Sequence, residues 1–294
     1  ESWLNELSNN ESRGAVFSAY TLITLTVLAV GQQMLLLYDP KEMYLFAIAS
    51  ALVSLAAIPV VLSVGPSPAH TETRVRLDLR RLYRISPAGV MGCLAAGLAN
   101  GSFWALAPVF VAGYSTEVSH VAWFMTAAVL GGAVGQWPLG LWSDRVDRRR
   151  VIAVAAFVGA LMSVAIGVYF DQITPLQLML MSAAWGAVAF PIYAVSAAHA
   201  NDHAGPGEYV MVSSGLLLMY GIGAIAGPFI APLMMRLTGA GGLYLFAALV
   251  HVSLLVSVVL RILRKAPVHD SEHLPFNDSL AATQTASHIY EDEL

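Results

Sequence analysis

Residues 118–150 read VSHVAWFMTAAVLGGAVGQWPLGLWSDRVDRRR. The first twenty-six contain no Asp, Glu, Lys or Arg, and six of the last seven are charged. A helix needs roughly 20 residues to cross a hydrocarbon core of about 30 Å. A charge at the centre of such a core costs about 2.5–3.5 kcal/mol. The segment therefore reads as a membrane span that ends in a charged loop.

The same punctuation by charge recurs on both sides of it. Residues 14–38, 43–71, 85–116, 151–170, 172–201, 209–235 and 237–260 are also free of Asp, Glu, Lys and Arg, giving eight span-length stretches in 294 residues. A soluble α/β protein produces one or two such stretches as buried helices or strands, not eight. Composition agrees: 57% of residues are apolar and 12% charged, where a soluble domain has about a quarter charged. Mean hydropathy is +0.67.

Alternating the spans across a bilayer gives the orientation. Arg13, Arg74, Arg76, Arg80, Arg81, Arg84, Arg145, Arg148, Arg149, Arg150, Arg261, Arg264 and Lys265 fall on one side, and only Lys41 and Arg236 on the other. Basic residues collect on the cytoplasmic side, so both ends of this chain are expected there. The net charge of −4 gives no reason to expect nucleic acid. The single cysteine, Cys93, sits within an apolar stretch and reads as a small packing residue.

Two spans precede the break at 65–86, which is bracketed by Pro66, Pro68 and Pro87, and six follow it. Four segments are expected: 1–64 with helices 14–38 and 43–64, a cytoplasmic linker 65–86, a six-helix unit 87–263, and a mobile tail 264–294. Val75, Leu79 and Leu82 fall at i, i+4 and i+7 among arginines, as in an amphipathic helix on the cytoplasmic membrane surface. A plain basic linker is the alternative. Residues 13–35 and 207–229 each pass from a polar loop through a Ser/Tyr-bearing apolar run to Gly31-Gln32 or Gly227-Pro228, which pairs the first span with the seventh. Two six-helix halves in parallel repetition give that separation. The first span is then the fifth of twelve, and the start at Glu1-Ser2-Trp3-Leu4-Asn5 reads as a truncation with four spans ahead of it.

The string Gly140-Leu141-Trp142-Ser143-Asp144-Arg145-Val146-Asp147-Arg148-Arg149-Arg150 resembles the major facilitator superfamily loop Gly-x-x-x-Asp-Arg-x-Gly-Arg-Arg-x, found between the second and third helices of each half. The resemblance implies an all-α integral membrane fold: eight transmembrane helices of a twelve-helix protein, the last two of the N-terminal half plus the six-helix C-terminal half. It also implies a cytoplasmic latch carried by Gly140, Asp144, Arg145, Arg148, Arg149 and Arg150, with the first span near Gly14 to Val16 as its neighbour. Physically, Asp144 suits the open N–H groups at a helix N-terminus. The departure is Asp147, which stands where the family has glycine and can compete for the arginines. Glu1 to Asn5, the Arg13-Gly14-x-Val16-x-Ser18-x-Tyr20 opening, Ala198-His199-Ala200-Asn201-Asp202 and Ser213-Ser214-Gly215-Leu216-Leu217-Leu218 are similar to a bacterial branch of permeases typified by YcaD.

Polar or aromatic side chains inside apolar spans mark a substrate path. They are Gln32, Gln33, Asn100, Trp104, Gln136, Trp137, Trp185, Tyr193, Tyr220 and His251, with Asn100 and Trp104 one turn apart. Each can equally be an interhelical bond or an interfacial aromatic. Gly97 and Gly101, Gly131 and Gly135, and Gly223 and Gly227 have the four-residue spacing of close helix contacts in lipid. Pro108, Pro138, Pro191, Pro228 and Pro232 are expected to bend their spans. No nucleophile–base set, phosphate loop or metal-ligand spacing emerges beyond His199 and His203 at i, i+4, so neither enzyme, cofactor nor metal is expected. The expected function is secondary transport of a small solute by alternating access, this chain alone being inactive. A membrane scaffold or sensor of the same fold is the rival.

Overall fold

The computed structural model describes residues 23–62, 78–205 and 208–264. Among these the chain is helical, without strands: α1 (Ile23–Leu36), α2 (Tyr44–Leu62), α3 (Leu79–Ile85), α4 (Pro87–Tyr114), α5 (Val118–Ser143), α6 (Arg148–Tyr169), α7 (Pro175–Ala189), α8 (Pro191–Asn201), α9 (Tyr209–Thr238) and α10 (Gly242–Arg264). Seven helices are long and apolar enough to cross a membrane: α2, α4, α5, α6, α7 with α8 as one span, α9 and α10. They match seven of the eight charge-free stretches. The remaining stretch begins at residue 14, outside the described residues, and its described part is α1. Val75, Gly14 to Val16 and the tail from residue 265 also lie outside them.

Local chemistry fixes where spans start. The α6 helix begins before its three arginines rather than after them, because Asp147 accepts the Arg149 backbone N–H at 3.0 Å and caps the helix there. Thr174 and Gln177 form a reciprocal capping box at the start of α7, followed by Pro175 in the first turn. Of the prolines expected to bend spans, only Pro191 divides a helix. Pro108, Pro138, Pro228 and Pro232 sit within continuous ones.

The spans from α4 to α10 associate as three tight pairs, α4 with α9, α5 with α7, and α6 with α10. Between helices in lipid there is little hydrophobic driving force, so small residues that let backbones approach decide the contacts. A Cβ on Gly97 or Gly101 would overlap the backbone of Tyr220 or Ala224, and one on Gly223 or Gly227 would overlap Leu94 or Leu98. The glycines of α4 and α9 thus face each other. On α5, Gly131 and Gly135 meet the Ala183 and Ala187 carbonyls of α7, and Gly186 returns the contact at Ala128.

An aromatic core fills the space between the pairs. Phe103, Phe110, Phe124, Trp185 and Tyr244 are buried, with neighbouring ring centroids 5.0–6.3 Å apart. Outside this unit, α2 buries none of its residues, and α1 touches α5.

The short α3 packs one face against the bundle. Leu82 is 1% exposed and fills the space left by the missing side chain of Gly215, while Leu79 faces outward. Arg81 pairs with Glu208 at the start of α9, and Arg261 of α10 donates to the Tyr83 hydroxyl at 2.8 Å. This short helix is thereby fastened across the ends of α9 and α10.

Candidate functional site

The arginine-rich loop divides its charges. Arg145 and Arg150 point outward, whereas Arg148 and Arg149 are buried. Arg148 donates from Nε to Asp202 Oδ2 at 2.7 Å and from a terminal nitrogen to Ser143 Oγ at 2.9 Å, with Asp144 Oδ1 3.2 Å from the same nitrogen. This guanidinium joins the end of α5, the start of α6 and the end of α8. A buried cation is tolerated where it is paired and its donors are satisfied.

Asp147 holds Arg149 with both carboxylate oxygens, at 2.7–3.0 Å. Burial pushes the Asp147 carboxyl up, but the bonds from Arg149 and its charge outweigh this and leave it below its ordinary value. The residue that departs from the family loop therefore occupies one arginine and leaves Arg148 to Asp144 and Asp202. Gly140 is buried where the Asp144 N–H closes the last turn of α5 on its carbonyl.

The ten polar and aromatic path candidates separate into groups. Asn100, Tyr193 and Tyr220 come together from α4, α8 and α9. Asn100 is 5% exposed and close to Tyr220, and its side-chain oxygen has no hydrogen-bond partner among the described residues. The Tyr193 and Tyr220 rings meet edge to face at 5.0 Å. One turn along α4, Trp104 stacks on Phe190 at 5.7 Å and 11° and keeps 37% of its surface open. Phe190, at the junction of α7 and α8, keeps a helical backbone, and its ring presses on Gly132 of α5.

Gln33 belongs to a different contact, donating to Thr126 Oγ1 at 2.6 Å across α1 and α5. Gln32 beside it and Gln136 on α5 are half-buried, and Trp137 is 73% exposed. Trp185 and His251 lie inside the bundle. Trp185 donates to Ser163 Oγ at 2.9 Å, and His251 bonds the Ala247 carbonyl and packs on Gly159 of α6.

Sequence reasoning passed over Phe190 and the role of Asp202. An acid at the very end of a span, on the same side of the bilayer as an arginine-rich loop, was the available signal for Asp202. The His199 and His203 rings are 4.6 Å apart, and no group of three or more His, Cys, Asp or Glu among the described residues could hold a metal ion.

Seven membrane-length helices, four of them paired through close glycine contacts, with a charged loop tied to the end of α8, define an all-α polytopic membrane protein. Residues 89–289 match the Major Facilitator Superfamily, and the chain belongs to that superfamily of transporters. It is 28% identical over 226 residues to an uncharacterized MFS-type transporter of Yersinia pestis strain Pestoides F, covering 76% of this chain and 58% of that protein. It is 27% identical over 238 residues to the uncharacterized MFS-type transporter YcaD of Escherichia fergusonii, covering 80% and 60%. Against an uncharacterized MFS-type transporter of Enterobacter sp. strain 638 it is 28% identical over 271 residues, covering 92% and 68%. The chain thus spans less than two thirds of the Yersinia and Escherichia relatives. The likeness to the YcaD branch read from the sequence is borne out. No solved structure matches the chain.

Proposed function

We propose that this protein is part of a secondary active transporter that carries a small solute across the bacterial inner membrane by alternating access. In this reading the segment 87–263 is one six-helix half, 1–64 contributes the end of the other, 65–86 links them, and both ends of the chain are cytoplasmic. The solute binds near the bilayer midplane between the halves.

The observation that supports it best is the wall formed by Asn100, Tyr193 and Tyr220, continued by Trp104 on Phe190. A buried amide oxygen without a partner is costly at membrane depth, and polar groups kept there mark solute pathways. Gln33 reaches Thr126 of α5, and Gln136 is half-buried on that same helix. The interior placement of Trp185 and His251 favours a packing role for those two. The arginine-rich loop acts as the latch of the half, with Arg148 holding α8 to it.

Accessibility tests the reading without knowledge of the solute. In the protein expressed from its whole gene, with Cys93 and any other cysteine replaced, Trp104→Cys and Tyr220→Cys are offered a charged, membrane-impermeant thiol reagent in vesicles of either orientation. Labelling from both faces is expected. Protection from both faces would overturn the proposal.

A further inference from the structure

Between α9 and α10, with α4 as its floor, runs an apolar cleft of about 380 Å³. Leu94 and Leu98 form the floor, Leu233 and Met234 one wall, and Val250 and Leu254 the other. Its one polar side chain, Ser253, already donates to the Leu249 carbonyl of its own helix at 2.7 Å. Nothing in the cleft calls for water or a polar solute.

The end of the cleft near α3 has the opposite character. On α10, Arg261 lies two helical turns beyond Leu254 and three beyond Val250, and Arg264 lies three beyond Ser253, so both arginines continue the face that walls the cleft. Arg261 is then about 10 Å past Leu254 along the axis. It is held there by Tyr83, whose ring centroid is 5.5 Å from the guanidinium carbon and whose hydroxyl accepts at 2.8 Å. Arg80 and Arg84 are exposed on the same short helix as Tyr83. No salt bridge among the described residues joins Arg80, Arg84, Arg261 or Arg264 to an acid. Asp78 accepts the Arg81 backbone N–H at 3.0 Å as the cap of α3.

We propose that this cleft binds one anionic phospholipid, its acyl chain lying along Leu94, Leu98 and Leu254 and its phosphate held by Arg261 and Arg264 with Arg84 beside them. An apolar cleft continued by arginines that meet no acid among the described residues is complementary to that molecule and to no free ion, which would leave the cleft empty. Basic residues at the membrane surface attract anionic headgroups, and here the attraction is coupled to a fitted apolar trough. Because α3 bridges α9 and α10 at this mouth, the bound lipid also braces the linker helix against the six-helix unit.

Native mass spectrometry of the whole-gene protein in detergent provides the test, with phosphatidylglycerol and phosphatidylcholine of identical acyl chains. Phosphatidylglycerol should be retained roughly tenfold or more over phosphatidylcholine, the preference that two surface arginines supply. Arg261→Gln with Arg264→Gln should abolish the preference, and Arg264→Gln alone, at an exposed position, should reduce it. Ser253→Trp, which fills the cleft, should lower retention of both lipids. Equal retention of the two lipids by the unmodified protein would overturn the proposal, as would a preference that survives the double substitution. Displacement by glycerol 3-phosphate would also overturn it, since the arginines would then be reading phosphate without the chain.

Discussion

Arg148 and Asp202 meet at 2.7 Å with both side chains sealed from solvent, although 54 residues separate them and they belong to different spans. Their bond ties the loop after α5 to the end of α8. The same guanidinium reaches Ser143 and Asp144, so one buried centre joins the end of α5 to the end of α8.

Removing one partner should cost far more than removing both. Arg148→Met leaves the Asp202 carboxylate buried and unpaired, an effect of about 3–5 kcal/mol for such pairs. Arg148→Met with Asp202→Leu should recover most of that loss. Thermal unfolding of the purified protein in detergent checks both variants, and a double variant no better than the single would contradict the pairing.

Asp147 gives a pH-dependent contribution with a definite sign. Its folded-state carboxyl titrates below its ordinary value, so its stabilisation is fully present above the ordinary value of about 3.9 and is lost as pH falls through the lowered folded value. Asp147→Asn keeps a capping oxygen but loses the charge on Arg149. The difference in melting temperature between Asp147→Asn and the unmodified protein should be constant from pH 5 to 7 within about a degree, and should shrink below about pH 4.

Glycine substitutions should divide by location. Gly135→Ala drives a methyl into the Ala187 carbonyl, and overpacking of this kind costs about 1–3 kcal/mol. Gly221→Ala has nothing within 4 Å and gains up to about 1 kcal/mol of helix propensity. Parallel unfolding of the two variants should give opposite signs.

The Gln33–Thr126 bond offers a readout of motion between α1 and α5. Gln33→Cys with Thr126→Cys, bridged by a short bifunctional thiol reagent in the whole-gene protein, should stop the change in accessibility of residue 104 between vesicle faces. Either cysteine alone, treated in the same way, should not. Unaltered labelling after complete bridging would mean that α1 and α5 do not separate.

Most spans were legible because charges are excluded from hydrocarbon whatever the fold. The stretch 118–143 coincides with α5, and 85–116 exceeds α4 by two residues at each end. The start of α6 was less legible, since a run of three arginines looks like loop until the Asp147 cap is seen. The wall around Asn100 was half legible: Asn100, Trp104, Tyr193 and Tyr220 stood out as polar or aromatic interruptions, while Phe190 was hidden among apolar neighbours.

The sequence by itself determined the membrane character, the order of spans, the spacing of the glycines and the arginine-rich loop, because each follows from local spacing and from the cost of charge in lipid. Only the tertiary structure decided which side of each helix meets protein. In water an apolar stripe marks the buried face, but in a bilayer the lipid and the protein interior are both apolar, so the pattern carries little sign of direction. That is why Trp185 and His251 went inside the bundle, Trp137 outside, and Asp202 onto Arg148.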